Sequence, residues 1–267
     1  MNRIIRSFLS AIVLISISII LFYFFGRDIW YPYYKECVIH RDIEPVECNL
    51  THIDPHQIPI PPVINLKLTV PIEKLSSKQR LKRHLADSDF VFYPKKLTLI
   101  GIKYEKLLEV WAELHGKWVR LTTYPFTAFS GRLGPKYREG DRQIPEGIYR
   151  ISYLNPNSKF HLSMRVDYPN AFDKKMAKKE NRTNLGGDIM IHGSDRTVGC
   201  IPIGDNSIEE LYYLVQKVGI QNIKVILSPV DFRYMSVNIK NDKYPWLKGL
   251  YKQITKEMKP FLLKERI

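Results

Sequence analysis

In the middle of the chain, hydrophobic and polar positions alternate over short runs. Leu108, Val110, Ala112 and Leu114 alternate with Glu109, Trp111 and Glu113, and His115-Gly116 then leads into Trp118-Val119-Arg120-Leu121. A period of two broken by a short glycine-bearing turn predicts a β-hairpin. Residues 148–153 alternate again. So do residues 160–167, with Leu162, Met164 and Val166 on one face and His161, Ser163, Arg165 and Asp167 on the other. That second face is polar and suits either the lining of a cleft or contact with water. Glycine and proline punctuate the runs at Gly131-Arg132-Leu133-Gly134-Pro135 and Pro145-Glu146-Gly147, where turns belong.

Further on, Asp188-Ile189-Met190-Ile191 forms a short apolar strand that ends at His192-Gly193. A loop, Ser194-Asp195-Arg196-Thr197-Val198, separates it from Gly199-Cys200-Ile201-Pro202. Ser207 with Glu210 three residues later predicts a capping box, and Ile208, Leu211, Tyr212 and Val215 supply the apolar stripe of the helix that follows. Gly219 closes this helix, and residues 223–227 alternate as a last strand. The predicted class is mostly β with flanking helices (α+β), built on a curled or sandwiched sheet.

The two ends of the chain differ from its middle. Residues 8–25, FLSAIVLISISIILFYFF, carry no charge and no proline. As a helix they would cover roughly 27 Å, close to the hydrocarbon thickness of a bilayer. Arg3 and Arg6 precede them, and Trp30, Tyr31, Tyr33 and Tyr34 follow as an interfacial belt would. A cleavable signal peptide would need small residues where Phe22, Tyr23, Phe24 and Phe25 stand. The expectation is a single-pass inner-membrane anchor at 8–25, residues 1–7 in the cytoplasm, and the remainder exported.

Residues 26–95 are proline-punctuated and suit a stalk or adaptor, with the basic run 78–83 as a solvated helix face or a contact to anionic lipid or wall polymer. A catalytic domain would occupy 96–233. In residues 234–267, Leu247, Leu250, Tyr251, Ile254, Met258 and Phe261 keep a helical period, with Lys248, Lys252, Lys256 and Lys259 on other faces. Such a basic amphipathic helix lies on a membrane or packs on its parent domain.

At 267 residues, 45% hydrophobic and 25% charged, the chain accommodates one good-sized domain with attachments, and wholesale disorder is excluded. The 41 Lys and Arg outnumber the 27 Asp and Glu by fourteen, which points to anionic surroundings. No nucleic-acid motif accompanies that excess, and an exported domain would not meet nucleic acid. Three cysteines without a CxxC pair make neither a disulfide scaffold nor a zinc site, so no metal is expected. In an oxidising compartment Cys37 and Cys48 would readily pair, which leaves Cys200 alone.

Cys200 is either a small buried hydrophobe or a nucleophile. Seven residues separate it from His192, and a loop that short can fold back and bring thiol and imidazole within reach. A neighbouring imidazole raises the thiolate fraction of a cysteine. Gly199 frees the backbone to aim the Gly199 and Cys200 amides at an oxyanion.

The runs GDRQIPEGIYRI (140–151), NPNSKFHLSMRVDYPNAFD (155–173) and GGDIMIHGSDRTVGCIPIGD (186–205) together resemble the YkuD-type L,D-transpeptidase family, nearest its short-loop, YafK-like branch. The likeness spans about residues 97–233. It implies a β-rich domain in the periplasm or cell envelope, without a cofactor, that remodels peptidoglycan through its stem peptides in wall biogenesis and cell shape. Carried onto this sequence, Cys200 would be the nucleophile, His192 its general base, and the backbone at Gly199 and Cys200 the oxyanion hole. His161, Arg165, Ser194 and Thr197 would contact substrate, while Lys136, Arg142 and Arg196 could attract its anionic groups.

Val198 stands where the best-known members carry a second histidine, and Pro202 where they carry an arginine that grips the donor. Donor and acceptor are therefore open. The implied chemistry is acyl transfer through a Cys200 thioester. The alternatives are a hydrolase of the same fold, such as a carboxypeptidase, an endopeptidase or an amidase that releases a wall-attached lipoprotein, and a non-catalytic wall-binding scaffold.

Overall fold

The structure is a computed structural model that describes residues 48–50, 75–239 and 244–262. The proposed anchor at 8–25, the cytoplasmic residues 1–7, Cys37 with its pairing to Cys48, and most of the proline-rich stretch lie outside these residues. Among the described residues no helix is long and apolar enough to cross a membrane.

In chain order the strands are β1 (Cys48–Leu50), β2 (Leu97–Ile102), β3 (Leu107–Leu114), β4 (Lys117–Pro125), β5 (Gly147–Ser158), β6 (His161–Val166), β7 (Met190–His192), β8 (Ile201–Pro202), β9 (Ile223–Ser228) and β10 (Val237–Ile239). The helices are α1 (Ser77–Asp87), α2 (Ala171–Lys179), α3 (Asp205–Val218) and α4 (Leu247–Met258). Eight strands make one mixed sheet in the order β4-β3-β2-β9-β5-β6-β7-β8, and β1 pairs with β10 as a separate ribbon. The predicted hairpin is β3–β4. His115 and Gly116 both take positive φ, 51° and 78°, as a two-residue turn of the primed type requires.

Both faces of the sheet are covered in its centre, so β2 is buried at every position and does not alternate. On one face, Leu97, Leu99, Val225, Leu227, Tyr149 and Ile151 pack with Ile208, Leu211 and Val215 of α3 and Leu81 and Leu85 of α1. On the other, Ile100, Ile102, Trp111 and Ile226 receive Leu247, Leu250, Tyr251, Ile254 and Met258 of α4. Each such side chain removed from water contributes about 2 kcal/mol, so the apolar stripe of α4 is satisfied by the sheet.

Two details differ from the sequence-based expectation. Helix α3 starts at Asp205 with Gly204 as its N-cap, three residues before the predicted Ser207 cap. Glu210 does not close a capping box. It is buried, and accepts from Arg80 Nε and from Tyr124 Oη at 3.0 Å, with His84 Nε2 at 3.3 Å. Nor is the basic run 78–83 wholly solvated, because Arg80 is buried against that carboxylate and also donates to Asn206 O at 3.1 Å. A carboxylate buried on α3 needs cationic partners, and α1 supplies them.

Candidate active site

Strands β7 and β8 are paired in parallel, Ile191 with Ile201 and His192 with Pro202. This register sets Cys200 opposite Met190, on the same face of the sheet as His192. At ordinary strand spacings their Cα atoms stand about 8 Å apart, within side-chain reach. The strand end is tied down on both sides: Gly193 N donates to Leu162 O at 3.2 Å, and Ile203 N donates to His192 O at 2.9 Å.

His192 is fully buried. Its Nδ1 lies 2.5 Å from Gly193 O, so Nδ1 carries the proton and Nε2 is the bare nitrogen. Nε2 is buried and has no hydrogen-bond partner among the described residues. The Phe160 ring lies over the imidazole, with centroids 4.7 Å apart and planes inclined by 31°, and screens it from solvent. Burial pushes the imidazole pKa below its usual 6.5, while the bond to Gly193 pulls the other way. The ring is therefore held neutral, as a proton acceptor must be.

Cys200 is a free, half-buried thiol. It donates to Asp188 O at 3.5 Å and makes no bond to Nε2. Burial pushes the thiol pKa above its usual 9.0; the Met190 backbone N–H lowers it, the Asp188 carboxylate raises it and the Lys136 ammonium lowers it. Lys136 is itself held by Asp141 Oδ1 at 2.6 Å and Arg138 O at 3.0 Å. The Asp141 carboxylate also accepts from the backbone N–H groups of Tyr137, Arg138 and Gln143, which shapes the loop beside the thiol.

Gly199 takes φ 117°, and a Cβ there would stand 3.1 Å from Gln143 O. Only glycine fits both the dihedral and the close approach of that loop. Thr197 Oγ1 accepts from Gly199 N at 3.2 Å and donates to Cys200 O at 2.7 Å. Thr197 thus closes the turn that carries the thiol, and one of the two amides expected in the oxyanion hole is engaged there.

The other residues singled out from sequence fall around this centre. Arg165 pairs with Asp188 at 3.0 Å, next to the thiol's acceptor. Ser194 contributes mainly its backbone, donating to Asp205 Oδ1 and accepting from Thr127 Oγ1, each at 2.7 Å. His161 is exposed at φ 71° and bonds Glu209 of α3 at 2.8 Å, and a Cβ built at Gly193 would stand 3.1 Å from the His161 Cβ, so it borders the strand end that carries His192. Arg142 contributes its carbonyl to Ser130 Oγ at 3.0 Å, and Arg196 is exposed on the loop.

Sequence reasoning missed Phe160, Asp188, Asp205 and Asp141. Phe160 and Asp188 stand inside the quoted runs, but nothing local marked one as a screen and the other as a backbone acceptor. Among the described residues no three His, Cys, Asp or Glu side chains converge as a metal site would need.

Gly193 also tolerates no side chain, since a Cβ would lie 2.5 Å from Asp205 Oδ1 and 2.8 Å from Phe160 O. Gly193→Ala should cost about 1–3 kcal/mol of stability by overpacking, read from a denaturant midpoint with unchanged slope.

Residues 103–230 match the family model described as YkuD, L,D-transpeptidase catalytic domain. This segment, just under half of the chain, is thus similar to YkuD domains. The chain is also 29% identical over 157 residues to YafK of Escherichia coli (strain K12), named provisionally as an L,D-transpeptidase, and to its counterpart in Escherichia coli O157:H7. The alignment covers 57% of this chain and 61% of those relatives, so the chain spans less than two thirds of their length. Among solved structures it is similar to the helical cell shape determining protein Pgp2 from Campylobacter jejuni, at 22% identity and TM-score 0.43, over 57% of this chain and 56% of that one. Bd1075 of Bdellovibrio bacteriovorus is similar at 18% identity and TM-score 0.38, over 65% and 57% of the two chains.

Proposed function

We propose that the YkuD-like domain transfers acyl groups of peptidoglycan stem peptides through a thioester on Cys200, at the outer face of the inner membrane to which residues 8–25 anchor it. The observation that carries this reading is the bare, buried Nε2 of His192 on the face that holds the thiol. An unpaired buried acceptor costs roughly 1–3 kcal/mol, and a neutral base waiting for a proton gives that cost a purpose.

As the stem carbonyl approaches, the thiol turns from Asp188 O and gives its proton to Nε2, and sulfur forms the C–S bond. The tetrahedral oxyanion is met by the Cys200 amide, with the Gly199 amide exchanging its Thr197 partner for it. Collapse breaks the C–N bond, and the imidazolium returns its proton to the departing amine. An incoming amine, deprotonated by Nε2, then displaces the thiolate and completes a cross-link; water in its place completes a hydrolysis.

The test is incubation of the full chain in detergent with defined muropeptides, followed by mass spectrometry. Dimers joined through two diamino acids mark a transferase. Shortened stems or released lipoprotein mark a hydrolase. Cys200→Ala should abolish whichever product forms, and equal products from the two proteins would overturn the reading.

A further inference from the structure

The face of the sheet that bears Cys200 and His192 continues into a second site. Met190, opposite Cys200, is registered with Arg165 of β6. Two residues on, Asp167 joins β5 by donating its N–H to Arg150 O at 3.0 Å and accepting from Arg150 N at 2.9 Å. Arg150 is registered with Lys224 of β9, and Lys224 with Thr98 of β2. A row of polar and charged positions, Arg165, Asp167, Arg150, Lys224 and Thr98, therefore crosses the sheet from the thiol, and its far end lines a cleft of about 540 Å³.

The chemistry of this cleft is mixed in a specific way. Trp118 lines it and is backed by Phe261 at 4.9 Å between ring centroids. Gln221 and Asn222 add amide groups. Thr98 also lines the cleft, and its Oγ1 is buried without a hydrogen-bond partner among the described residues. Lys96 and Lys224 are neutralised by Glu113 and Glu257, at 3.0 and 2.7 Å. The exposed Arg150 guanidinium, at the near edge, makes no ion pair among the described residues. An indole face with hydroxyl and amide groups suits an uncharged, hydroxyl-rich ring bearing an acetamide, and a free guanidinium suits a carboxylate.

We infer that this cleft binds the amino-sugar end of the wall substrate whose stem peptide reaches Cys200, with Arg150 holding a free carboxylate of that stem. The inference rests on the acyl-transfer chemistry proposed above. Dimensions support it. Three strand spacings and two residues along the strand separate Cys200 from Arg150, about 16 Å. Three stem residues and the lactyl link, counted as a fourth, extend about 14 Å, so a stem whose third carbonyl meets the thiol brings its sugar to the Arg150 rim of the cleft, where the long guanidinium side chain can turn back onto a stem carboxylate.

The test is binding rather than turnover, in the full chain carrying Cys200→Ala, by calorimetry. A disaccharide–tetrapeptide should bind about tenfold more tightly than the free tetrapeptide. Thr98→Val should remove most of that difference, while Arg150→Glu should weaken both ligands about tenfold; Arg150 is exposed, and an unchanged melting curve would confirm that this variant folds. Equal affinity of the two ligands, no binding of either, or indifference to Arg150→Glu would overturn the cleft assignment. Because no turnover is needed, loss of the cleft effect with intact muropeptide processing would refute this site alone. Preferential sugar binding without processing by the wild type would refute the acyl-transfer chemistry alone.

Discussion

His192→Gln should lower muropeptide turnover about 10³-fold, the usual worth of a positioned general base, with the thiol still present and alkylatable. The pH dependence follows from the two burials. The imidazole titrates below 6.5 and the thiol above 9.0, so the resting pair is neutral and the proton moves only on attack. As pH falls through the imidazole value, Nε2 becomes protonated and can accept nothing, so kcat/KM should fall tenfold per unit there. Above it the rate should stay level past the ordinary thiol range. Iodoacetamide alkylation, which needs free thiolate, should instead rise only in the alkaline range. An acid limb of kcat/KM at or above 6.5 would contradict the lowered imidazole pKa, and fast alkylation at neutral pH would show a resting ion pair in place of the neutral site described here. Since His192 is buried under Phe160, the variant's melting curve must accompany the rates.

Glu146→Leu should destabilise the domain by about 3–5 kcal/mol, because it strands a buried ammonium. Lys103 Nζ donates to Glu146 Oε1 at 2.9 Å, to Gly134 O at 2.7 Å and to Ile144 O at 3.0 Å, and neither side chain of the pair is exposed. Glu146 also accepts from Gly134 N and from Tyr251 Oη of α4, at 2.7 and 2.6 Å. For a domain of this size the loss corresponds to a fall in Tm of roughly 10 °C. Replacing both partners, Lys103→Met with Glu146→Leu, should recover much of it, since no charge is then left unpaired. If the single variant melted with the wild type, the pair would carry no structural weight. The same contacts brace the loop whose Gln143 carbonyl faces Gly199, so activity should fall further than the melting shift alone explains.

What the sequence disclosed depended on how locally each feature is encoded. The β3–β4 hairpin was legible because the alternation and the His115-Gly116 turn lie within one short stretch. So was the placement of His192 at a strand end and Cys200 after a tight loop. The start of α3 was misplaced because Ser207 and Glu210 fit a local motif, while the partner that claims Glu210 is Arg80, 130 residues earlier. Burial of β2 on both faces could not be read from β2, since α4 comes from the far end of the chain. Likewise the row from Cys200 to Thr98 exists only through register across strands that are not neighbours in sequence.

The position of β9 sets an order of assembly. This strand lies between β2 and β5, parallel to one and antiparallel to the other, yet it is synthesised after both. Until residue 228 is available, two hydrophobic strands keep open edges at the middle of the sheet, the kind of surface that recruits other chains. Completion of the domain is thus a post-synthetic event, and a chain terminated before residue 223 would be left as an aggregation-prone half-sheet.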